Sequence, residues 1–376
     1  MPRLSALIVT FNSAPEIESC IESLAGDTDT PEIIVLDNAS TDETCQIVRH
    51  KFPHVRLIQH ENNEGFATGI NRAFESSSGD NILILNPDVT PLPDCINILL
   101  KEKENLPDTG AVSPRQWIDS RHRWQWPPVP WPPQWDSLLI QVAGIKSQRF
   151  ATGRIKDIWS FNRKLLLTQT SVEVPYLVGA CILLSRHDFQ KLGGLDHRFF
   201  LFFEDTDLSI RLREAGFRLY FIPEAEAVHI GNSSVRRFHG GIRDIYNRSL
   251  TRYLRLHGGF LTQSIWKSIS TLHSIKSGVD QRYTQSIPNH GTSHTLLQWN
   301  ACRGATDSVV EVSQDATFIY SAMAQTTDTQ LAIPDELDAA LNHGSFFWRV
   351  WGIHQDNTLV SVVPATYTIR DHVPIT

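Results

Sequence analysis

The sequence predicts an α/β domain on a mostly parallel sheet, followed by a small all-β sandwich. Three observations predict it. Strand-like and helix-like runs alternate through Asn105, a pattern that builds parallel sheets with right-handed crossovers. Carboxylate and amide clusters recur at the ends of the predicted strands. Beyond about residue 292, short apolar alternations replace the strand–helix rhythm, as in a sandwich.

Leu4 to Thr10 reads as a buried strand. Ser13-Ala14-Pro15-Glu16 has the form of a capping box with proline in the first turn, opening a helix toward Ala25. Glu32 to Asp37 is the second strand. Ser40 to Glu43 repeats the capping-box pattern ahead of a helix through His50. Val55 to Gln59 is a third strand, followed after Gly65 by a helix from Ala67 to Ser76. Asn81 to Leu85 is the fourth strand, and Asp94 to Asn105 a helix. Trp124 to Trp135 holds five prolines, which exclude helix and central strand and leave a rigid polyproline segment or an ordered loop near the site.

Tyr176 to Ser185 is a further apolar strand. Gly193-Gly194 breaks the chain before the aromatic run Phe199 to Phe203. Asp205 to Ala215 is helical and stops at Gly216; Arg218 to Ile222 is a strand closed by Pro223. Helical signal runs from Leu261 to Lys276, then a polar stretch reaches Gly291. Short strands follow over 295–299, 308–313, 318–323, 330–333, 346–354 and 359–363. The expected organisation is therefore an α/β domain over 1–260, a helical and polar linker over 261–291 and a β-sandwich over 292–376.

Composition narrows the function. A net charge of −7, from 41 acidic against 34 basic residues, leaves no general basic surface for nucleic acid. The five cysteines are scattered with no CxxC pair, so neither a disulfide framework nor a zinc knuckle is expected. Met1-Pro2-Arg3-Leu4 leads straight into a strand, leaving no room for a signal peptide, and no apolar stretch is long enough to span a bilayer. The expected location is cytoplasmic, at the inner face of the plasma membrane if membrane-associated, with any contact peripheral or through a partner.

The chemistry sits where strands end. Thr10-Phe11-Asn12 follows the first strand and Asp37 to Asp42 the second. Asn62 to Ala67 with Asn71 follows the third. The fourth ends in Asn86-Pro87-Asp88, where proline stops the ladder and the aspartate is left at the sheet rim. One such cluster would be ordinary turn and cap chemistry, and Ser40 and Asp42 have a capping explanation. Four on one sheet edge suit a nucleotide, since open α/β sheets bind ligands beyond the carboxyl ends of their strands.

Val9-Thr10-Phe11-Asn12-Ser13, Asp37-Asn38-Ala39-Ser40-Thr41-Asp42, Asn63-Glu64-Gly65-Phe66-Ala67 and Asn86-Pro87-Asp88 resemble the motif series of family 2 glycosyltransferases. Gly179-Ala180-Cys181, Gly193-Gly194-Leu195-Asp196, Phe203 to Leu208 and Pro223-Glu224-Ala225 to His229 continue it in order, over about residues 3–258. The subgroup most resembled is the rhamnosyltransferase-like enzymes of cell-surface polysaccharide synthesis. The resemblance implies a GT-A (Rossmann-like) fold, a nucleotide-sugar donor, Mg²⁺ or Mn²⁺, and inversion at the anomeric carbon. Leu297-Gln298-Trp299, Gly304-Ala305, Val309 to Ser313 and Trp348 to Trp351 resemble a fibronectin type III-like module.

Carried onto this chain, the family pattern makes Asp88 the last acid of the metal motif, with Asn86 where many relatives have a first aspartate. His229 becomes the second metal ligand. Asp37 is the expected partner of base or ribose. Thr10, Asn12, Asn38, Asn63, Gly65, Phe66, Asn71 and Asn86 join Asp37 and Asp88 around the nucleotide sugar. Asp205 is the expected catalytic base, since inverting transfer needs a carboxylate to take the acceptor hydroxyl proton. Glu204 assists catalysis and holds acceptor hydroxyls; Gly179, Ala180 and Trp117 complete the acceptor side. The alternative for the acidic triplet is a negatively charged helix start.

Trp117, Trp124, Trp126 and Trp131 offer faces for sugar rings, or else anchor the core. Arg236, Arg237 and Arg243 reach a donor or acceptor phosphate, or form a solvated helix face. Expected partners are a dTDP- or UDP-sugar donor and a glycan or lipid-linked glycan acceptor, with the C-terminal module contacting membrane or a partner enzyme. A sugar nucleotidyltransferase would show a glycine-rich loop with a basic residue after the first strand, where this chain has Thr10-Phe11-Asn12-Ser13. A non-catalytic carbohydrate-binding protein is the alternative from a different class.

Overall fold

A computed structural model describes residues 4–24, 31–142, 152–231, 241–276, 295–301, 304–313, 318, 321–341, 346–355 and 359–368. Its contacts form two units: residues 1–120, 128–132 and 168–256, and residues 121–127, 133–167 and 257–376.

The first unit opens with β1 (Leu4–Thr10), α1 (Ile17–Ser23), β2 (Glu32–Asn38), α2 (Thr44–Lys51) and β3 (Arg56–His60). It continues with α3 (Phe66–Glu75), β4 (Asn81–Leu85), β5 (Val89–Pro91), α4 (Cys95–Asn105) and β6 (Thr109–Trp117). The chain then supplies α5 (Trp135–Val142) and α6 (Gly153–Leu167) to the second unit. It returns as β7 (Val172–Glu173), β8 (Cys181–Ser185), α7 (Arg186–Lys191), α8 (Glu204–Glu214), β9 (Arg218–His229) and α9 (Ile242–His257).

The nine strands form one sheet in the order β3-β2-β1-β4-β8-β6-β9-β5, with β7 on β9. β3, β2, β1 and β4 are parallel. β8 runs against both β4 and β6, and β9 lies parallel to β6. Most strands therefore share one direction, and their carboxyl ends share one edge. The antiparallel β8 and β5 present their amino ends to that edge: Cys181 pairs with Leu85, and Val89 with His229. Ala6, Ile8, Val35, Leu83, Leu85 and Leu183 form one buried cluster with Ile17, Ile21, Ile96 and Leu99 of the flanking helices.

Local signals differ from the expectation at three places. Neither capping box forms. Ser13 gives its N–H to Thr44 Oγ1, and α1 starts at Ile17 without a side-chain cap. Ahead of α2, the Thr44 N–H is taken by Asp42. β9 also does not stop at Pro223. Pro114 of β6 faces Ile222, but the next residue, Arg115, faces Glu226. Pro223, Glu224 and Ala225 thus bulge out of the ladder, which gives the proline a place needing no N–H donor.

The second unit adds α10 (Phe260–Lys276), β10 (Leu296–Gln298), β11 (Ala305–Ser313), β12 (Ala322–Thr326), β13 (Gln330–Ala332), α11 (Asp335–Ala340), β14 (Phe346–His354) and β15 (Leu359–Thr368). β12-β11-β14-β15 form one antiparallel sheet and β10-β13 another. This unit also takes in residues 121–127 and 133–167, stretches that the sequence reading left with the first domain. Gln125 bridges Met323, and Trp124, 1% exposed, donates to the Ala332 carbonyl. Trp159 and Arg163 of α6 lie by the buried Arg349–Glu311 pair.

Candidate active site

The carboxyl edge of the first sheet gathers the predicted residues, and its polar contacts fall into three groups.

The first surrounds Asp37, which is 1% exposed. Its carboxylate accepts from Thr10 Oγ1 at 2.8 Å and from the Ser40 N–H at 2.9 Å and hydroxyl. Asn12, in the left-handed region at φ 52, accepts from the Thr41 N–H at 2.7 Å and donates its own N–H to Ser40. These bonds tie the loop after β1 to the loop after β2, so Ser40, read as a helix cap, holds the site together. Asn38 donates to the Gly65 carbonyl at 3.1 Å, and its own side-chain oxygen is buried without a hydrogen-bond partner.

The second group turns on Gly65. Asn63 accepts from its N–H at 3.0 Å, and its φ of 89 is open to glycine at little cost. A Cβ here would fall onto the Phe200 carbonyl oxygen, which instead accepts the Phe66 N–H at 2.7 Å. Asn71, expected at the nucleotide, has its amide on the Leu195 backbone. It donates to the Leu195 carbonyl at 2.8 Å and accepts the Leu195 N–H at 2.9 Å, pinning the Gly193-Gly194 turn.

The third group holds the candidate metal and catalytic residues. β5 and β9 put Val89 opposite His229, and the Ile230 N–H donates to the Asp88 carbonyl at 3.3 Å. His229 Nε2 then lies 3.7 Å from Asp88 Oδ1, both side chains being buried. Burial holds the His229 pKa below its ordinary value, with Asp88 opposing, so the imidazole is neutral at pH 7 and has a lone pair to give. Its Nδ1 is 2.8 Å from the Gln116 side-chain oxygen. One carboxylate and one imidazole fit a hard divalent cation that draws its other ligands from a diphosphate and water. Among the described residues, no group of three or more His, Cys, Asp or Glu side chains forms a metal cage.

Asp205 joins this edge through the backbone. It accepts the Gly179 N–H at 2.9 Å, and the next carbonyl, Ala180, accepts the Asn86 N–H at 2.8 Å. Two hydrogen bonds thus connect the Asp205 carboxylate to the Asn86-Pro87-Asp88 turn. Burial raises the Asp205 pKa, opposed by its bonds from Gly179 and Thr206. Glu204, 6% exposed, is pushed up to about 8 by burial first and by Asp205 next, and its Oε2 has no hydrogen-bond partner. Asp207 is occupied by Arg211, at 2.7 Å. Among the described residues, Glu204 and Asp205 therefore form no side-chain ion pair, whereas Asp207 does.

Phe202 and Phe203 enter α8 at φ 72 and 68, a costly conformation for bulky residues. α9 holds them there. Tyr253 stacks on Phe203 at 5.2 Å, Tyr246 meets both rings, and Ser249 donates to the Leu201 carbonyl. Sequence reasoning gave α9 only a solvated helix face at Arg243, and it missed Gln116 because β6 has mixed polarity without clean alternation.

Trp117 donates to Glu226 at 3.1 Å at the end of β6. Trp124 and Trp126 are buried in the second unit and offer no face to a sugar. Trp131, half-buried, lies edge-on to Tyr176 at 6.0 Å. Arg236 and Arg237 lie outside the described residues; Arg243 is an exposed residue of α9.

The model of the family described as Glycosyl transferase family 2 matches residues 5–193. An N-acetylglucosaminyl-diphospho-decaprenol L-rhamnosyltransferase of Mycobacterium tuberculosis is 31% identical over 241 residues, covering 60% of this chain and 75% of that protein. Rhamnosyltransferase WbbL of Escherichia coli K12 is 25% identical over 257 residues, covering 66% of this chain and 91% of that protein. A solved mannosyltransferase from Pyrobaculum calidifontis, in complex with GDP-Man and Mn²⁺, overlays at a TM-score of 0.42 and 17% identity, covering 73% of this chain and 75% of that one.

Proposed function

The chain belongs to glycosyl transferase family 2, and from that membership we propose an inverting enzyme that moves a rhamnose-like sugar from a nucleoside-diphosphate donor to a hydroxyl of a glycan or lipid-linked glycan. The observation that carries this reading is the linkage of Asp205, through Gly179 and Ala180, to the turn that bears Asp88 opposite His229.

In this reading Asp205 takes the acceptor hydroxyl proton as that oxygen attacks the anomeric carbon from the face opposite the leaving diphosphate. Its hydrogen bonds from Gly179 and Thr206 orient the carboxylate, and partial burial raises its basicity. Glu204, protonated at neutral pH, donates to an acceptor oxygen rather than competing as base. Asp88 and His229 hold Mg²⁺ or Mn²⁺, which when bound offsets charge developing on the leaving diphosphate. Thr10, Asn12, Asp37, Asn38, Asn63, Gly65 and Phe66 shape the loops around base and ribose, and Asn86 lies beside the diphosphate. Gly179, Ala180 and Trp117 face the acceptor.

We read the donor as dTDP-rhamnose, with UDP-sugars as the alternative; the rhamnosyltransferase names of two relatives support the sugar. We place the reaction in cell-surface polysaccharide synthesis at the cytoplasmic side of the membrane, as the motif resemblance implies. No helix among the described residues is long and apolar enough to cross a membrane; in this reading membrane contact is peripheral or through a partner. The four- and two-stranded antiparallel sheets of the second unit support a fibronectin type III-like module, to which we assign partner or membrane association. Thermal-shift screening of a nucleotide-sugar panel, with and without Mn²⁺, tests the proposal. A metal-dependent shift with dTDP-rhamnose supports it; no shift with any nucleotide sugar defeats it.

A further inference from the structure

We infer that Gln116 is a positioning residue for the candidate metal site, fixing the His229 ring with its proton on Nδ1 and its Nε2 lone pair turned toward Asp88. The inference rests on the reading of Asp88 and His229 as metal ligands and adds a residue that no motif of the chain announces.

Three observations carry it. Gln116 and His229 are both buried, with the Gln116 side-chain oxygen 2.8 Å from Nδ1. An amide oxygen only accepts, so this contact is a hydrogen bond only when Nδ1 carries the proton. The other ring nitrogen is the one that lies 3.7 Å from Asp88 Oδ1. A ring held this way cannot rotate its nitrogens without losing a buried hydrogen bond.

The third observation is how the chain brings the pair together. If β9 had continued in register after the Pro114–Ile222 pair, Gln116 would face residue 224, leaving His229 five positions further along. The bulge of Pro223, Glu224 and Ala225 puts Gln116 opposite Ala227 instead. His229 is then two residues on, and two residues is one strand repeat, so its side chain emerges on the same face as Ala227 and Gln116. The Pro223-Glu224-Ala225 segment thus sets the register that brings Gln116 to His229. Outer partners of this kind commonly change metal affinity 10–100-fold when lost.

The test uses the full chain and Mn²⁺ alone. Long-range ¹H–¹⁵N spectra of the metal-free protein, with His229 identified by its loss in His229→Gln, should show the Nδ1–H tautomer. Titration followed by Mn²⁺ electron paramagnetic resonance should give Gln116→Leu an affinity about 10–100-fold weaker than wild type. Gln116→Glu, which still accepts from Nδ1–H, should bind within a few-fold of wild type. An Nε2–H tautomer in the wild type overturns the inference. So does unchanged affinity in Gln116→Leu while His229→Ala binds weakly. If His229→Ala binds Mn²⁺ like wild type, the metal-site reading itself fails. Thermal melts of each variant identify a misfolded one; the wild-type tautomer decides the question even if Gln116→Leu does not fold.

Discussion

The Asp205 carboxylate accepts the Gly179 N–H at 2.9 Å, which ties the start of α8 to the strand end beside Asn86. This contact leaves little room: a Cβ on Gly179 would lie 2.8 Å from the Asp205 Cβ. Gly179→Ala is expected to displace the carboxylate and lower kcat at least tenfold. Donor affinity should be retained, because none of the bonds around Asp37 passes through residue 179. Initial rates and donor titration check both parts.

Glu204 carries a pH signature. Its folded pKa, about 8, lies above its ordinary 4.5, so the folded protein binds the extra proton between those values. Its contribution is fully present below about pH 4.5 and is lost as pH rises through about 8. Glu204→Gln removes that loss. Its melting temperature should exceed that of wild type by a few degrees at pH 8.5, with the difference shrinking toward pH 5. Melting curves across that range decide; a constant difference would contradict the burial argument.

Gly65 and Gly193 separate backbone strain from steric clash. Both have positive φ, 89 and 77, but only at Gly65 would a Cβ meet other atoms. Gly193→Ala should cost about 1 kcal/mol, from backbone strain alone. Gly65→Ala should cost on the order of 2–3 kcal/mol more, because the Phe200 carbonyl must also move. Denaturant melts measure both.

Asn71 should behave as a structural residue. Removing its amide breaks two hydrogen bonds to Leu195, and Asn71→Ala is expected to lose about 1–3 kcal/mol of stability. Donor affinity at a temperature where the variant is folded should stay within about twofold, less than the tenfold that 1.4 kcal/mol represents. A large loss of donor affinity with unchanged stability would restore Asn71 to the nucleotide.

The second unit should not be separable at residue 260. Trp124, Trp159 and Arg163 come from the middle of the chain but pack with β11, β13 and β14. Fragment 1–260 would expose them and is expected to aggregate, whereas the full chain does not. Size-exclusion chromatography of both distinguishes the outcomes.

The parallel half of the fold was legible because β1, β2 and β4 each hold an apolar run of at least four residues and each is followed by its polar cluster. Where two signals competed, reading failed. Ser13 and Ser40 match a capping pattern, yet Thr44, 31 residues on, takes the Ser13 N–H, and Ser40 is bonded to Asp37 and to Asn12, 28 residues away. Pro223 reads as a strand end, yet a bulge absorbs it. Gln116 stood in a strand that showed no alternation, and its partner lies 113 residues away. The tryptophans of 124–126 carry no local sign of which core receives them. Asp88, His229 and Asp205 are proposed through ordered motifs, since single residues at these separations have no short-range signature.

The most direct measurement is nucleoside diphosphate release from dTDP-rhamnose in Mn²⁺, wild type beside Asp205→Asn, with donor affinity taken on both proteins. The expected result is metal-dependent release by wild type and a fall of about 10²–10⁴-fold in Asp205→Asn, with donor affinity unchanged. Release by Asp205→Asn at the wild-type rate would remove Asp205 as base and with it the proposed mechanism.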